Sequence, residues 1–377
     1  MKFILWVLRI VVGALFIFSG LVKANDPLGL SYKMNEFFEV WGTTWAMEYS
    51  LALSVAMIGF EIIAGVGLLL GAAFRLFSFL LLLLTAFFTF LTAYVYLTDK
   101  IKECGCFGDC IKISNAETFW KDVILLVLVI ILFAFRKRIK PVFSGYPTTA
   151  LMILTAFFAF FIQWWTLEHL PFYDCLPYKV GTNIYQKTQI PPGAIPDEYQ
   201  TIMIYEKDGV QKEFSMDNYP WQDTTWKFVD SKSKLVKKGN AEPEIKDFVI
   251  NDQDQNDHTQ EILTAPGYTF LLFVKDPVTA RTDNMDLLRN LMTKASEWNI
   301  PFYVLSSGNK EVTAEFREKN KLYPADYMVL DATANKTALR SNPGLMILKD
   351  GVIVDKMSFR DYPKEVSFAN GRLNFSK

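Results

Sequence analysis

The sequence predicts a helical membrane bundle followed by a polar α/β domain. Two observations carry that reading. The chain of 377 residues is 51% hydrophobic, with 32 Phe and 9 Trp, and most of its apolar residues fall before residue 170. Beyond about residue 241, strand-like and helix-like patterns alternate in a chain of ordinary polarity. A mean hydropathy of +0.16 with only 21% charged residues excludes a disordered chain or a collagen-like repeat.

Charge narrows the function classes. Up to residue 170 there are 13 Lys+Arg and 11 Asp+Glu, and after it 26 and 29, giving net charges of +2 and −3. Neither part has the basic field that nucleic-acid binding requires, so no nucleic-acid partner is expected. Two His, at 169 and 258, exclude a large His-built metal centre.

Five apolar runs are long enough to cross a hydrocarbon core of about 30 Å: Phe3 to Val22, Met47 to Leu70, Phe74 to Leu97, Phe119 to Phe135 and Thr148 to Leu167. Val22-Lys23-Ala24 is not a small-x-small cleavage site, so the first run reads as a retained helix rather than a signal peptide. Lys2, Arg75, and the crowd of Arg136, Lys137, Arg138 and Lys140 mark one side as cytoplasmic. Five spans then put the N-terminus in the cytoplasm and the polar half outside it. The expected domains are a membrane unit over 1–140, a fifth spanning helix over 141–170, a connecting module over 171–240 and an α/β domain over 241–377.

Glu61 is deep in the second run, where a carboxylate costs at least ~2.5 kcal/mol on insertion scales. Arg9 and Glu61 lie about 9 and 15 Å in from the same membrane face, which predicts an Arg9–Glu61 pair. Such a pair either fixes helix packing or handles a proton or ligand in the bundle core.

The four cysteines, Cys104, Cys106, Cys110 and Cys175, all fall on the outer, oxidising side in this topology. Three pairings are available. Gly105 allows Cys104 and Cys106 to approach, and a bridge across so short a ring would be labile and suited to exchange. Pairing Cys104 with Cys106 and Cys110 with Cys175 would supply one dithiol for exchange and a second to relay. The alternatives are structural staples or thiol metal binding with His169, although Cys-x-Cys-x3-Cys is not a usual zinc spacing, and no metal site is assigned.

Helix one reads Arg9-x3-Gly13-x2-Phe16-x2-Ser19-Gly20-x2-Lys23 and helix two Glu61-x3-Gly65-x2-Leu68-x2-Gly71, with small residues sharing a face. With the loop Cys104-Gly105-Cys106-Phe107-Gly108, this pattern over roughly residues 1–140 resembles the DoxX superfamily and its MauE-like branch, known for the same CGCFG string. The resemblance implies disulfide handling during maturation of extracytoplasmic proteins in a bacterial inner membrane.

In the polar half, Tyr199 to Phe214 broken at Asp208-Gly209 predicts a β-hairpin with a type I′ turn, on which Trp221, Trp226 and Phe228 would pack. Gly267 to Val274 reads as a buried strand, Asn284 to Trp298 as a helix, Pro301 to Ser306 as a strand, Glu311 to Asn320 as a helix, and Leu345 to Leu348 with Val352 to Met357 as a closing hairpin around Asp350-Gly351. With Asn342-Pro343-Gly344 this order is similar to the thioredoxin-like fold. The similarity implies a cis peptide at Pro343 and extended polypeptide binding beside it. Where active thioredoxins carry Cys-x-x-Cys, this chain has Lys275-Asp276-Pro277-Val278, with no thiol anywhere in the domain.

The leading expectation is thiol-disulfide exchange or disulfide formation for exported proteins through the loop cysteines, with a redox-inactive α/β domain for recognition. The alternative is a non-catalytic scaffold or assembly factor with structural disulfides. The partners expected are the lipid bilayer and exported polypeptides or a periplasmic protein. No cofactor is identifiable, and only the membrane location suggests a quinone.

Overall fold

The computed structural model describes residues 2–98, 100, 101, 105, 108–111, 113–143, 145–237, 239–323 and 325–376. Its first part is built from α1 (Lys2–Ala24), α2 (Pro27–Val40), α3 (Ser50–Leu70, led in by a 3-10 turn over Thr44–Tyr49), α4 (Phe74–Thr98), α5 (Asn115–Ala134) and α6 (Tyr146–Glu168). Local chemistry sets the ends. Asp26 caps α2 by accepting from Gly29 N with Pro27 just inside the helix, Gly71 closes α3 in the left-handed conformation at φ 70, and Ser114 with Glu117 forms a capping box on α5.

Helices α1 and α3 run antiparallel and nearly touch. A Cβ on Gly65 would lie 2.8 Å from the Gly13 carbonyl, and one on Gly20 would meet Ile62, so only small residues permit the approach. Val12, Phe16, Ala64, Leu68, Phe74, Leu81, Val129 and Leu132 join α1, α3, α4 and α5 in one core. α6 lies against the other side of α3, where Phe160 covers Gly59 and the Thr166 hydroxyl donates to Ala24 O at 3.0 Å.

Among the described residues four helical stretches are apolar and long enough to cross a membrane: Phe3–Ala24, Thr44–Leu70, Phe74–Thr98 and Tyr146–Glu168. The fourth predicted span, Phe119 to Phe135, forms as α5, but Glu117, Lys121 and Asp122 occupy its first two turns, so its composition is less apolar than the others. Its course is nonetheless that of the bundle. Tyr96 stacks on Phe119 at one end and Phe79 meets Phe133 at the other, which makes α5 antiparallel to α4 and returns the chain to the layer of Arg9, Leu70 and Lys140.

The polar part contains α7 (Ile184–Thr188), β1 (Glu198–Lys207), β2 (Val210–Ser215), β3 (Lys227–Lys237), β4 (Ile250–Asn251), α8 (Thr259–Leu263), β5 (Tyr268–Val274), α9 (Met285–Glu297), β6 (Phe302–Ser306), α10 (Lys310–Asn320), β7 (Asp326–Leu330), α11 (Ala332–Ala338), β8 (Gly344–Lys349), β9 (Val352–Ser358), β10 (Glu365–Ala369) and β11 (Arg372–Ser376). The main sheet has the order β4-β7-β6-β5-β8-β9, with β5, β6 and β7 parallel and β8, β9 and β4 antiparallel to their neighbours. Both faces are covered. Phe270, Leu272 and Val274 pack with Leu345 and Ile347 beneath α9, whereas Leu271 and Phe273 pack with Met346 and Leu348 on the other side.

That second core also takes Leu176, Tyr178 and Ile184, and β9 is extended by a bridge from Asn183 to Val352. Residues 176–188 therefore belong to the α/β domain, a correction to the expected module over 171–240. The module proper is the sheet β2-β1-β3. Lys207 pairs with Val210 across Asp208 and Gly209, both at positive φ, as the two-residue turn requires. Trp226 and Phe228 pack edge-on to Phe214 and Tyr205, but Trp221, expected beside them, is 70% exposed.

Candidate functional site

The buried charge pair of the bundle is Lys23–Glu61. Lys23 Nζ lies 2.5 Å from Glu61 Oε1, the two side chains are 3% and 1% exposed, and Ser19 donates to Glu61 Oε2 at 3.2 Å. The expected Arg9–Glu61 pair does not form. Arg9 lies opposite Leu69, whose carbonyl it binds together with that of Lys140. Eight residues of α3, about 12 Å, separate Leu69 from Glu61. Depth alone misled, because the Gly13–Gly65 contact sets a register that places Ser19 and Gly20 across from Glu61. Lys23 stands one turn beyond Ser19 on the same face, and that i, i+4 spacing was the available signal.

Two apolar cavities flank this pair. One of about 450 Å³ lies between α1, α4 and α5 and includes Phe16, Ser19, Lys23, Glu61 and Asp122 in its wall. The other, about 520 Å³, lies between α2, α3 and α4, where Lys23, Phe37, Trp41, Phe60, Phe88 and Gly105 are among its lining. Lys23 thus contributes to both, with its ammonium 5.1 Å from the Phe88 ring centre.

At the same end of the bundle the α/β domain docks through charge. Arg340, only 6% exposed, reaches Asp26 at 2.8 Å and Asp109 at 2.7 Å, and its guanidinium lies over the Tyr32 ring. Burial acts against its charge, but Asp26 and Asp109 outweigh that and hold Arg340 above its ordinary pKa. Glu168 binds Arg281 and Arg360 at 3.1 and 2.5 Å, Lys356 binds Asp174 at 2.6 Å, and His169, stacked on Trp165, meets Asp361 at 2.8 Å. The Lys275 ammonium points at the Tyr32 hydroxyl at 3.2 Å, between Arg340 and Lys336. Burial, and then the like charge of Arg340, lower it to about 7, while burial pushes the Tyr32 phenol up to about 12.

A disulfide joins Cys110 to Cys175, with Cα atoms 4.7 Å apart, and so ties the loop after α4 to the segment that enters the α/β domain. Cys104 and Cys106 lie outside the described residues. Gly105 between them is described: it has φ 71 and packs against the Lys33 stem, where a Cβ would meet Lys33 Cγ at 2.8 Å. Among the described residues no group of His, Cys, Asp and Glu is assembled for a metal ion.

The Asn342–Pro343 peptide is cis, and Pro343 is buried. The edge beside it, expected to bind polypeptide, is occupied by the chain itself. Asn342 O accepts from Arg281 N at 2.9 Å, and the Asn342 side chain accepts from Lys275 N and donates to Asp276 O. The loop Lys275-Asp276-Pro277 closes over that edge and faces the membrane unit through Lys275. The backbone and side chain of Asn342 are thus engaged within the chain.

Sequence reasoning also missed α2, Tyr32, Asp26, Asp109 and Arg340. For α2 the signal was present, since Asp26-Pro27 is an N-cap followed by proline at the first helical position. The others are single polar residues far apart in sequence, and no local pattern marks them.

These features define a helical membrane unit joined to an α/β domain that sits on one of its ends. Residues 1–135 match the family described as methylamine utilisation protein MauE, so the membrane unit is similar to that family over its first five long or amphipathic helices. Residues 199–238 match a domain of unknown function, DUF8463, and this stretch coincides with the sheet β2-β1-β3. No curated protein and no solved structure matches the chain.

Proposed function

We propose that this protein carries out thiol-disulfide exchange at the extracytoplasmic face of a bacterial inner membrane, with Cys104 and Cys106 as the exchanging pair and exported polypeptides as clients. The observation that carries the reading is the Cys110–Cys175 disulfide. It accounts for two of the four cysteines and holds the loop at the domain junction, while Cys104 and Cys106 stand six and four residues before Cys110 in that loop. In the exchange step a client thiolate attacks one sulfur of a Cys104–Cys106 disulfide and releases the other as thiolate. A second client thiolate then resolves the mixed disulfide, leaving an oxidised client and a reduced pair.

The α/β domain is thioredoxin-like in this reading. Its parallel β7-β6-β5 flanked by antiparallel β8 and β9 supports the assignment. Without a cysteine of its own it serves as a redox-inactive cap, and the ion pairs of Arg340 with Asp26 and Asp109 support a role in holding the cysteine loop. The basic cluster Arg136, Lys137, Arg138 and Lys140, at the end opposite the docked domain, supports an extracytoplasmic position for that domain.

Mass-tagging of free thiols in the membrane-embedded protein, before and after mild reduction, tests the assignment. Cys104 and Cys106 are expected to change state under mild reductant while Cys110 and Cys175 do not, and Cys106→Ser or Cys104→Ser should trap a client as a mixed disulfide. Four cysteines that stay bridged, with no trapped client from either variant, would leave a scaffold with structural disulfides.

A further inference from the structure

The exchange reading leaves a reduced pair that must be reoxidised, and Gly105, the residue between Cys104 and Cys106 in sequence, lines one cavity of the bundle. We propose that the cavity between α2, α3 and α4 is a binding site for a membrane-soluble 1,4-quinone, which takes the electrons of Cys104 and Cys106. The inference rests on the proposed exchange function and names its oxidant.

Three features converge on this ligand class. The cavity, about 520 Å³, falls within the roughly 300–1,000 Å³ of small-molecule sites. Its wall is apolar and aromatic, with Phe37, Trp41, Phe60 and Phe88 suited to the face of a flat ring, and it lies between helices that meet the lipid, so the ligand would come from the bilayer. The same wall holds one buried ammonium and one backbone segment of the cysteine loop. Lys23 has three N–H donors, of which Glu61 takes one, and another can serve a quinone carbonyl. Gly105, covalently joined on either side to Cys104 and Cys106, lines the cavity as well.

The chemistry balances without a further reactant. Two S–H bonds break and one S–S bond forms between the Cys104 and Cys106 sulfurs. The two electrons and two protons released convert the two quinone carbonyls to hydroquinone hydroxyls. The Lys23–Glu61 pair is a positioning element here: the carboxylate holds the buried ammonium in the wall of an otherwise apolar space.

The test uses the full chain in lipid nanodiscs with decylubiquinone as the probe. Calorimetric titration is expected to show saturable binding of one equivalent, and stopped-flow absorbance should show the pre-reduced protein converting one equivalent to quinol. Ala56 lines the cavity from an exposed position on α3, so Ala56→Phe fills the space without disturbing the core and should weaken binding about tenfold or more. Cys104→Ser with Cys106→Ser should bind the quinone as well as the native chain does and reduce none of it. Lys23→Met should weaken binding, and Ala56→Phe keeps the test decisive if Lys23→Met fails to fold. Partitioning no different from empty nanodiscs, or binding indifferent to Ala56→Phe, would mean that lipid fills the cavity and would overturn the site while leaving thiol trapping intact. Saturable, Ala56-dependent binding with no thiol-linked reduction would overturn the acceptor role, and absence of client trapping in the same preparation would show that the exchange reading had failed with it.

Discussion

Arg340 Nη2 lies 2.7 Å from Asp109 Oδ2, so the α/β domain holds the residue that immediately precedes Cys110. The same guanidinium reaches Asp26 at the N-cap of α2. One buried cation therefore ties together the end of α1, the start of α2 and the cysteine loop. Two separate stretches of the membrane unit depend on a single fork of N–H donors, a geometry that an ammonium cannot reproduce.

Replacing Arg340 by Met should loosen this junction more than any surface substitution. Removing one partner from a buried pair costs roughly 3–5 kcal/mol, and the partial exposure of Asp26 and Asp109, at 15% and 28%, places the loss near the lower figure. Limited proteolysis of the native chain in nanodiscs should show faster cleavage between α6 and α7. Arg340→Lys should recover only part of the protection, and an Arg340→Met protein as resistant as the native one would show that the junction does not depend on this residue.

Inside the bundle, the Lys23–Glu61 pair predicts strong non-additivity. Lys23→Met leaves a carboxylate among apolar side chains, and Glu61→Met leaves an ammonium there, so each should destabilise by roughly 3–5 kcal/mol. The double change to Met removes both charges and should cost much less than the sum of the two. Thermal unfolding in detergent of the four proteins gives the cycle, and additive losses would mean that the two side chains stabilise the bundle independently.

Much of this architecture was legible in the sequence because it depends on local periodicity. The apolar runs gave α1, α3, α4 and α6 to within a few residues, and Asp208-Gly209 and Asp350-Gly351 gave both hairpin turns. Helix α5 was found by its apolar second half, Val123 to Ala134, although Glu117, Lys121 and Asp122 make its first half unlike a lipid-facing span. What failed was pairing across distance. Arg9 and Lys23 are both basic residues in one apolar helix, and only the Gly13–Gly65 register, invisible without the packed pair, decides which of them meets Glu61. The contact at Asn342 was hidden for the same reason. Nothing near Pro343 in sequence indicates that Arg281 and Lys275 close over its edge, because that contact is made by a loop more than 60 residues away.

The Cys110–Cys175 bridge spans a sequence separation of 65 residues, and loop-closure entropy for such a length corresponds to about 4 kcal/mol. That figure is an upper bound here, since helices that persist in the unfolded state of a membrane chain already restrict the two ends. Cys110→Ser should lower the unfolding temperature of the native chain and expose the junction to protease, as Arg340→Met does. It should not by itself abolish client trapping by Cys104→Ser or Cys106→Ser. Loss of all trapping in the Cys110→Ser background would assign the bridge a direct part in exchange.

Lys275 makes the stability of the junction depend on pH in a stated direction. Its folded-state pKa of about 7 lies below the ordinary 10.5, because burial, with Arg340 and Lys336 nearby, disfavours the ammonium more than Asp26 favours it. Below about pH 7 the group is protonated whether the chain is folded or not, and the full penalty of enclosing that charge is present. Between 7 and 10.5 the folded chain has released a proton that the unfolded chain still binds, so stability rises with pH through this window and levels off above it. Tyr32, raised to about 12, stays neutral in the folded chain while the unfolded phenol ionises around its ordinary 10. It therefore opposes the trend at the upper end of the window, equally in the native chain and in a Lys275 variant that leaves Tyr32 in place. Replacing Lys275 by Met removes the penalty. The variant should be more stable than the native chain at pH 6.5, with the gap closing as pH approaches 10, and unfolding midpoints of the two proteins across pH 6.5 to 10 supply the comparison. Parallel curves would mean that Lys275 remains charged and solvated at the junction over the whole range.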